Sequence, residues 1–383
     1  MKALLILVFW CLWFLCFSTR TIISPLLPVI EEELGITHTL SGSLFSLMAV
    51  GYTLALLLSG WLSPRLGYKR SIIGGFFILS GALFSLQYAQ SFFQLALACF
   101  VIGLGAGVYL PSAIPILTEI VTRKNWGKAI AFHDTAASFS ILFIPLYAAF
   151  FLRYLPWRAL FVILSGGCIA ALVLFAFFSP DTRAGKREKG GILFLVRHKA
   201  FWIMAILWIF AAAANLGLYN FIPLFLVMEK GMELETANTV FGFSRVGGFF
   251  VALAAGFLAD RFGARRILFF SLLVTGLSSV ALALVQGFYP VVVFLTLQAT
   301  FCTAFFPIGI TAISRLTSLG DRSAFTGMTV AMGVVFGLGV APVVLGAIAD
   351  EWNFRVGILM LGVLVTVSGF LLRFLHGIEA RGE

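Results

Sequence analysis

Apolar residues run through this chain in long unbroken stretches and not at alternating positions. Twelve stretches stand out, at roughly 4–30, 42–63, 71–88, 92–118, 129–152, 158–178, 200–228, 237–259, 266–286, 289–314, 323–348 and 355–375. A helix needs about 20 such residues to cross a ~30 Å hydrocarbon layer. Only helices or closed barrels satisfy their backbone groups in lipid, and the short alternating segments of a barrel are missing. The pattern therefore predicts an all-α membrane protein with twelve transmembrane helices. The longest polar stretch, 179–199, follows the sixth run and carries Asp181, Arg183, Lys186, Arg187, Glu188 and Lys189. It divides the chain into a six-helix bundle over 1–178, a cytoplasmic linker over 179–199 with an interfacial helix around 191–198, and a second six-helix bundle over 200–383. The first run begins after Lys2 as a leader would. It is too long for one, contains Trp10 and Trp13, and lacks a small-residue cleavage site, so it is read as a span.

Composition agrees: the chain is 61% hydrophobic and 11% charged, with 42 phenylalanines. The net charge of +10 raises the question of nucleic acid, which its distribution answers. Twenty of the 26 Lys and Arg fall in alternate inter-run segments and at the two ends, against four (Arg153, Arg158, Lys230 and Arg355) in the segments between. This asymmetry places both termini in the cytoplasm of a cell with the protein in its inner (plasma) membrane, and makes lipid headgroups, not nucleic acid, the partner of the basic loops. All five cysteines lie inside apolar runs without metal-ligand spacing and read as small core residues. No metal or cofactor is expected.

The two halves repeat. Gly60, Leu62, Arg65, Gly67, Lys69 and Arg70 recur 196 residues later as Gly256, Leu258, Arg261, Gly263, Arg265 and Arg266. Pro111 recurs as Pro307 at the same offset, and Pro28 as Pro223 at 195. Gly67 and Gly263 would allow a tight reversal between helices. These paired segments resemble the loop signature Gly-x-Leu-x-Asp-Arg-x-Gly-x-Arg-Arg of the major facilitator superfamily. The second copy is complete, and the first has Pro64 in place of Asp. With twelve spans and a central linker, the resemblance covers the whole chain. It implies two pseudo-symmetric bundles and alternating access, with the site near mid-membrane.

Two arginines remain: Arg20 and Arg245, each near mid-depth of an apolar run. A charge there costs at least roughly 2.5–3.5 kcal/mol and is kept where it faces a cavity or a partner. Their repeat equivalents are Asn215 and Ala49, so they are not copies of each other. The superfamily resemblance implies that helices one, two, four, five, seven, eight, ten and eleven line the cavity, where one arginine from each half could clamp a single anion. Guanidinium suits carboxylate or phosphate through paired donors. Asn215, Tyr219, Asn220 and Gln298 are the other substrate-binding candidates. Asp134 is read as the one acid well inside a run, and with His133 as the proton-coupling candidate; the alternative is a structural ion pair with an arginine. Glu119 is expected to pair with Arg65 or Arg70, and Arg315 with Asp260, as cytoplasmic gates beside Arg261, Gly67 and Gly263. Prolines within the runs are expected to bend helices.

The resulting expectation is a monomeric secondary transporter of a small organic anion, a carboxylate, working by proton symport or anion exchange. The alternative is a proton-coupled efflux pump for amphipathic solutes with a phenylalanine-lined pocket. The drug-antiporter pattern of an acid in helix one, an arginine in helix four and a Gly-rich helix five is absent. No nucleotide loop, metal cluster or nucleophile constellation suggests an enzyme.

Overall fold

Helix is the only long-range regular structure among the described residues of the computed structural model, which are 2–122, 125–180, 198–317 and 322–375. The interfacial helix expected around 191–198 falls almost entirely outside them. Contacts divide the chain into two units, Met1–Arg187 with Glu233–Gly242, and Glu188–Met232 with Phe243–Glu383.

The first unit contains α1 (Lys2–Thr21), α2 (Ile23–Leu34), α3 (His38–Leu66), α4 (Tyr68–Ser85), α5 (Phe92–Gly107), α6 (Tyr109–Ile120), α7 (Trp126–Phe151) and α8 (Trp157–Phe178). The second follows with α9 (Lys199–Ala212), a π-helical segment (Ala213–Gly217) and α10 (Ile222–Met228). Next come α11 (Leu234–Ser244), most of which packs with the first unit, and α12 (Val246–Phe262). The chain continues through α13 (Ala264–Leu284), α14 (Phe288–Leu316), α15 (Arg322–Met332), a second π-helical segment (Gly333–Val340), α16 (Ala341–Glu351) and α17 (Phe354–Gly369).

Eleven of the described helical stretches are long and apolar enough to cross a membrane. The eighth expected span, which is not among the eleven, is divided at Arg245 into α11 and α12. Three other spans break or turn at Ile22, Val108 and Asn220. Each of these lies three residues before a proline (Pro25, Pro111 and Pro223). A proline cannot bond to the carbonyl four residues back and its ring crowds it, which frees the carbonyls of Thr21, Gly107 and Tyr219. Prolines thus follow the discontinuities in spans one, four and seven, whereas Pro28, Pro115, Pro145 and Pro307 lie inside α2, α6, α7 and α14 without interrupting them. Arg245 has no such proline; it takes φ −85° and ψ −11° between two helices.

The distal end of each unit, where its first span finishes, carries a repeated latch. Glu33 accepts hydrogen bonds from Trp157 Nε1 and Arg158 Nη1, both at 2.6 Å, and Arg158 also donates to Ala89 O at 2.7 and 3.1 Å. At matching positions in the second unit, Glu229 accepts from the Phe354 N–H and from Arg355 Nε (3.2 Å), while Lys230 Nζ donates to Val285 O at 2.6 Å. Burial, then the neighbouring Arg355, push the Lys230 ammonium pKa below its usual value. The Glu229 side chain is 13% exposed and that of Glu33 45%. Truncating Glu33 to Ala should cost about 1 kcal/mol, as for exposed pairs. Glu229→Ala should cost roughly 2–3 kcal/mol, because a shielded backbone N–H loses its acceptor. Thermal unfolding in detergent should rank the two variants in that order; equal losses would count against the latch.

Candidate functional site

Arg20 lies in the last turn of α1, two residues before the break at Ile22, and is 6% exposed. Its guanidinium carbon lies 4.3 Å from the ring centroid of Tyr52 on α3 and 5.0 Å from that of Phe17. Among the described residues no carboxylate forms an ion pair with it, and its Nε meets no acceptor. A cation over a desolvated ring gains about 2 kcal/mol, well short of what an uncompensated buried charge costs. The site is therefore suited to an arriving anion. Tyr52 is fixed by glycines. A Cβ at Gly107 would stand 2.3 Å from Tyr52 O, and one at Gly103 2.8 Å from Tyr52 N, so α5 approaches the tyrosine backbone as only glycine allows.

Arg245 is 5% exposed, and its guanidinium carbon lies 5.0 Å from the ring centroid of Tyr219. Tyr219 stands just before the turn at Asn220 and is fully buried. Behind Arg245, Gly247 sits against Thr300 of α14, whose Oγ1 would be 2.2 Å from an added Cβ. Both units thus hold an arginine over a tyrosine, with the partners exchanged. In the first unit the arginine is on span one and the tyrosine on span two; in the second the tyrosine is on span seven and the arginine on span eight. A second exchange lies alongside. Cys16 donates its S–H to Ala106 O at 3.8 Å, and Cys302 donates to Ala211 O at 3.5 Å. Ala211 and Cys302 are the repeat equivalents of Cys16 and Ala106, at offsets of 195 and 196.

The polar candidates of the second unit surround its π-helical segment. Asn215 lies within the segment, is 8% exposed, and makes no side-chain hydrogen bond among the described residues. Asn220 is buried with no acceptor for Nδ2. Gln298 is spent differently: its Nε2 donates to Ala214 O at 2.7 Å, tying α14 to a carbonyl in the π-helical segment, while its Oε1 meets no donor.

His133 and Asp134 point different ways. His133 is buried among Trp13 and Tyr109, with ring centroids 5.6 and 5.8 Å away. Tyr109 donates its hydroxyl proton to Phe9 O at 2.8 Å, which leaves His133 Nε2–H to donate to Tyr109 Oη at 3.0 Å. Asp134 is exposed and lies beside Trp13. At the other end of the helices, Gly67 and Gly263 both take φ +88° where α3 turns into α4 and α12 into α13. Glu119 is exposed and makes no ion pair with Arg65 or Arg70 among the described residues. Arg65, Arg70 and Arg261 are exposed, Arg315 half-buried, and the Asp260 side chain lies outside the described side chains.

The pairing of Tyr52 with Arg20 is not marked in the sequence, where Tyr52 is one of several polar residues inside apolar runs. The first apolar run ends at Ile30. The helix continues to Leu34 and buries Glu31, so Asp134 is not the only acid inside a span.

A family model described as the Major Facilitator Superfamily matches residues 9–258 and 237–382. A cis,cis-muconate transport protein of Acinetobacter baylyi is 22% identical over 379 residues, covering 91% of this chain and 88% of the relative. A probable sulfoacetate transporter of Cupriavidus necator is 28% identical over 171 residues, covering 45% of this chain and 40% of that protein. The chain thus spans less than half the length of that relative. Among solved structures, a bacterial homolog of the human lysosomal transporter Spinster, inward-facing and unoccupied, superposes with a TM-score of 0.85 at 16% identity, covering 100% of this chain and 99% of the other. A D-xylose–proton symporter superposes with a TM-score of 0.81 at 14% identity, covering 97% and 98%.

Proposed function

We propose that this chain, which belongs to the major facilitator superfamily and is a multi-pass membrane transporter and not an enzyme, carries a small organic anion by alternating access. The observation that carries this reading is Arg20: a buried guanidinium over the Tyr52 ring, beside a helix break, with no carboxylate partner among the described residues. In the second unit Arg245 over Tyr219 is a further buried cationic group suited to an anion. Broken helices are where transporters of this kind expose polar backbone to a substrate. The relatives named for muconate and sulfoacetate support the choice of substrate class, since each of those solutes carries two anionic groups. Asn215, Tyr219, Asn220 and Gln298 would complete the substrate contacts or hold them in place. Asp134, with His133 behind it, would take up the coupled proton if the mode is symport; anion exchange needs none. The distal latches would face the outside and both termini the cytoplasm of the inner membrane. Arg65, Arg70 and Glu119, and Arg261, Asp260 and Arg315, would gate the cytoplasmic end of a monomer.

A second reading, efflux of amphipathic solutes, draws on one feature. Trp10, Phe14, Phe139 and Phe143 form a contiguous aromatic group on α1 and α7, with Phe139 and Phe143 over a third exposed. Proteoliposome uptake separates the two readings. The expected result is uptake of labelled muconate or sulfoacetate that Arg20→Gln and Arg245→Gln each abolish. Uptake of hydrophobic cations with no response to an anion panel would sink the anion reading.

A further inference from the structure

Glu31 is 8% exposed in the last turns of α2, and its Oε2 lies 2.8 Å from Nδ1 of His38, the first residue of α3. Its Oε1 is shielded from solvent and has no hydrogen-bond partner among the described residues. The two residues are brought together by the turn at Gly35, which takes φ +59° and returns its N–H to Glu31 O at 2.9 Å. A buried carboxylate with one oxygen unmet is costly when it carries a full charge. The imidazole beside it offers the place where a proton cancels that charge.

The other charged groups on α2 and the helices packed against it are engaged elsewhere or distant. Glu32 is exposed, and Glu33 is taken by Trp157 and Arg158. Arg65 on α3, and Lys128, His133 and Asp134 on α7, lie at the opposite ends of their helices. Arg153, just past α7, pairs with Glu235 of α11. Arg20, in the last turn of α1, precedes Glu31 by eleven residues, about 16 Å at 1.5 Å per residue. The α2 helix is a rod between the two, gripped near its start by Asn238, whose Nδ2 donates to Pro25 O at 3.0 Å.

We propose that Glu31 and His38 form a proton-binding site at the distal end of α2, distinct from His133 and Asp134, and that its occupancy sets how the rod beginning beside Arg20 is held. A second proton on the imidazole cancels the carboxylate charge and ties α2 to α3. When the imidazolium gives up that proton the neutral ring can still donate from Nδ1, and the carboxylate charge stands uncompensated in a shielded place. The coupling to anion binding rests on the function proposed above; the proton site itself does not.

Histidine titration tests the site directly. The chain has four histidines, His38, His133, His198 and His376, so ¹⁵N-histidine NMR of the full protein in detergent is simple to assign with His38→Gln. The expected result is that Glu31→Gln moves the His38 titration midpoint by at least one pH unit, a tenfold change in proton affinity, and leaves His133 alone. Coincident His38 titrations in the two proteins overturn the site. Thermal stabilisation by cis,cis-muconate at pH 6 and pH 8 tests the coupling. Its apparent affinity should change at least threefold between the two pH values in the unaltered protein and stay level in Glu31→Gln. Equal pH dependence in both proteins overturns the coupling. Stabilisation of neither protein at any pH counts against the anion reading, and the titration still decides the proton site.

Discussion

Arg20→Gln is expected to weaken binding of muconate or sulfoacetate by roughly 30- to 1,000-fold, equivalent to about 2–4 kcal/mol for loss of a desolvated charge partner. The size follows from the surroundings. The guanidinium is buried, it lies over Tyr52, and the described residues bring it no carboxylate. Glutamine keeps length and two donors and removes the charge, so the loss reports charge more than packing. Arg20→Lys should recover part of the affinity, since it restores the charge without the planar fork. Tyr52→Phe, which keeps the ring, should bind nearly as the parent does, and Tyr52→Leu should lose up to about 30-fold, the ~2 kcal/mol worth of a buried cation–π contact. Isothermal calorimetry or ligand-induced thermal shift reads all four variants. If Arg20→Gln binds the anion as the parent does, or if Tyr52→Phe falls with Tyr52→Leu, this account of the site fails.

The arginines were legible in the sequence because lipid is so unforgiving of charge: a single Arg within an apolar run of helix length stands out against its neighbours. The helix breaks were half legible. Pro25, Pro111 and Pro223 mark three of them by the hydrogen bond each cannot make. The break at Arg245 has no such mark. The pairing of the tyrosines with the arginines could not be found the same way. Tyr52 and Tyr219 are ordinary residues for a membrane helix, and what distinguishes them is a partner on another helix. Had Arg20 and Arg245 been repeat copies, one pairing would have suggested the other. Exchange of the partners between spans hides the relationship from any search at a fixed offset. The latches show the converse. Glu33 and Glu229, and Arg158 and Arg355, keep the repeat offset within a residue and are legible in the sequence beyond the Gly-rich loops. Glu31 was missed for a simpler reason: hydropathy ends a span at its last apolar residue, whereas a helix ends at its cap, here Gly35.

Gly107→Ala is expected to damage both the fold and the site, and it separates the roles of helix contact and helix propensity. By propensity alone the change stabilises a helix interior by about 1 kcal/mol. At Gly81 on α4 nothing lies within 4 Å of an added Cβ, so Gly81→Ala should raise the unfolding temperature slightly. At Gly107 the same methyl meets Tyr52 O at 2.3 Å and Ala55 Cβ at 2.8 Å. The nearest of these is backbone, which cannot turn aside as a side-chain tip can, so α3 must move from α5. Overpacking of this kind costs roughly 1–3 kcal/mol, which outweighs the propensity gain. The residue displaced is the one beneath Arg20, so anion affinity should fall along with stability, although Gly107 itself need never touch substrate. Gly247→Ala offers the comparison in the second unit. Its nearest neighbour is the Thr300 side chain, with Oγ1 at 2.2 Å and Cγ2 at 3.1 Å. Rotation of that threonine relieves part of the contact, and the losses should be smaller. Thermal unfolding and muconate binding, measured together on the three alanine variants, should give stability in the order Gly81, Gly247, Gly107 from highest to lowest. A Gly107→Ala protein as stable as the parent, with unaltered anion affinity, would mean that the approach of α5 to Tyr52 does not hold the site.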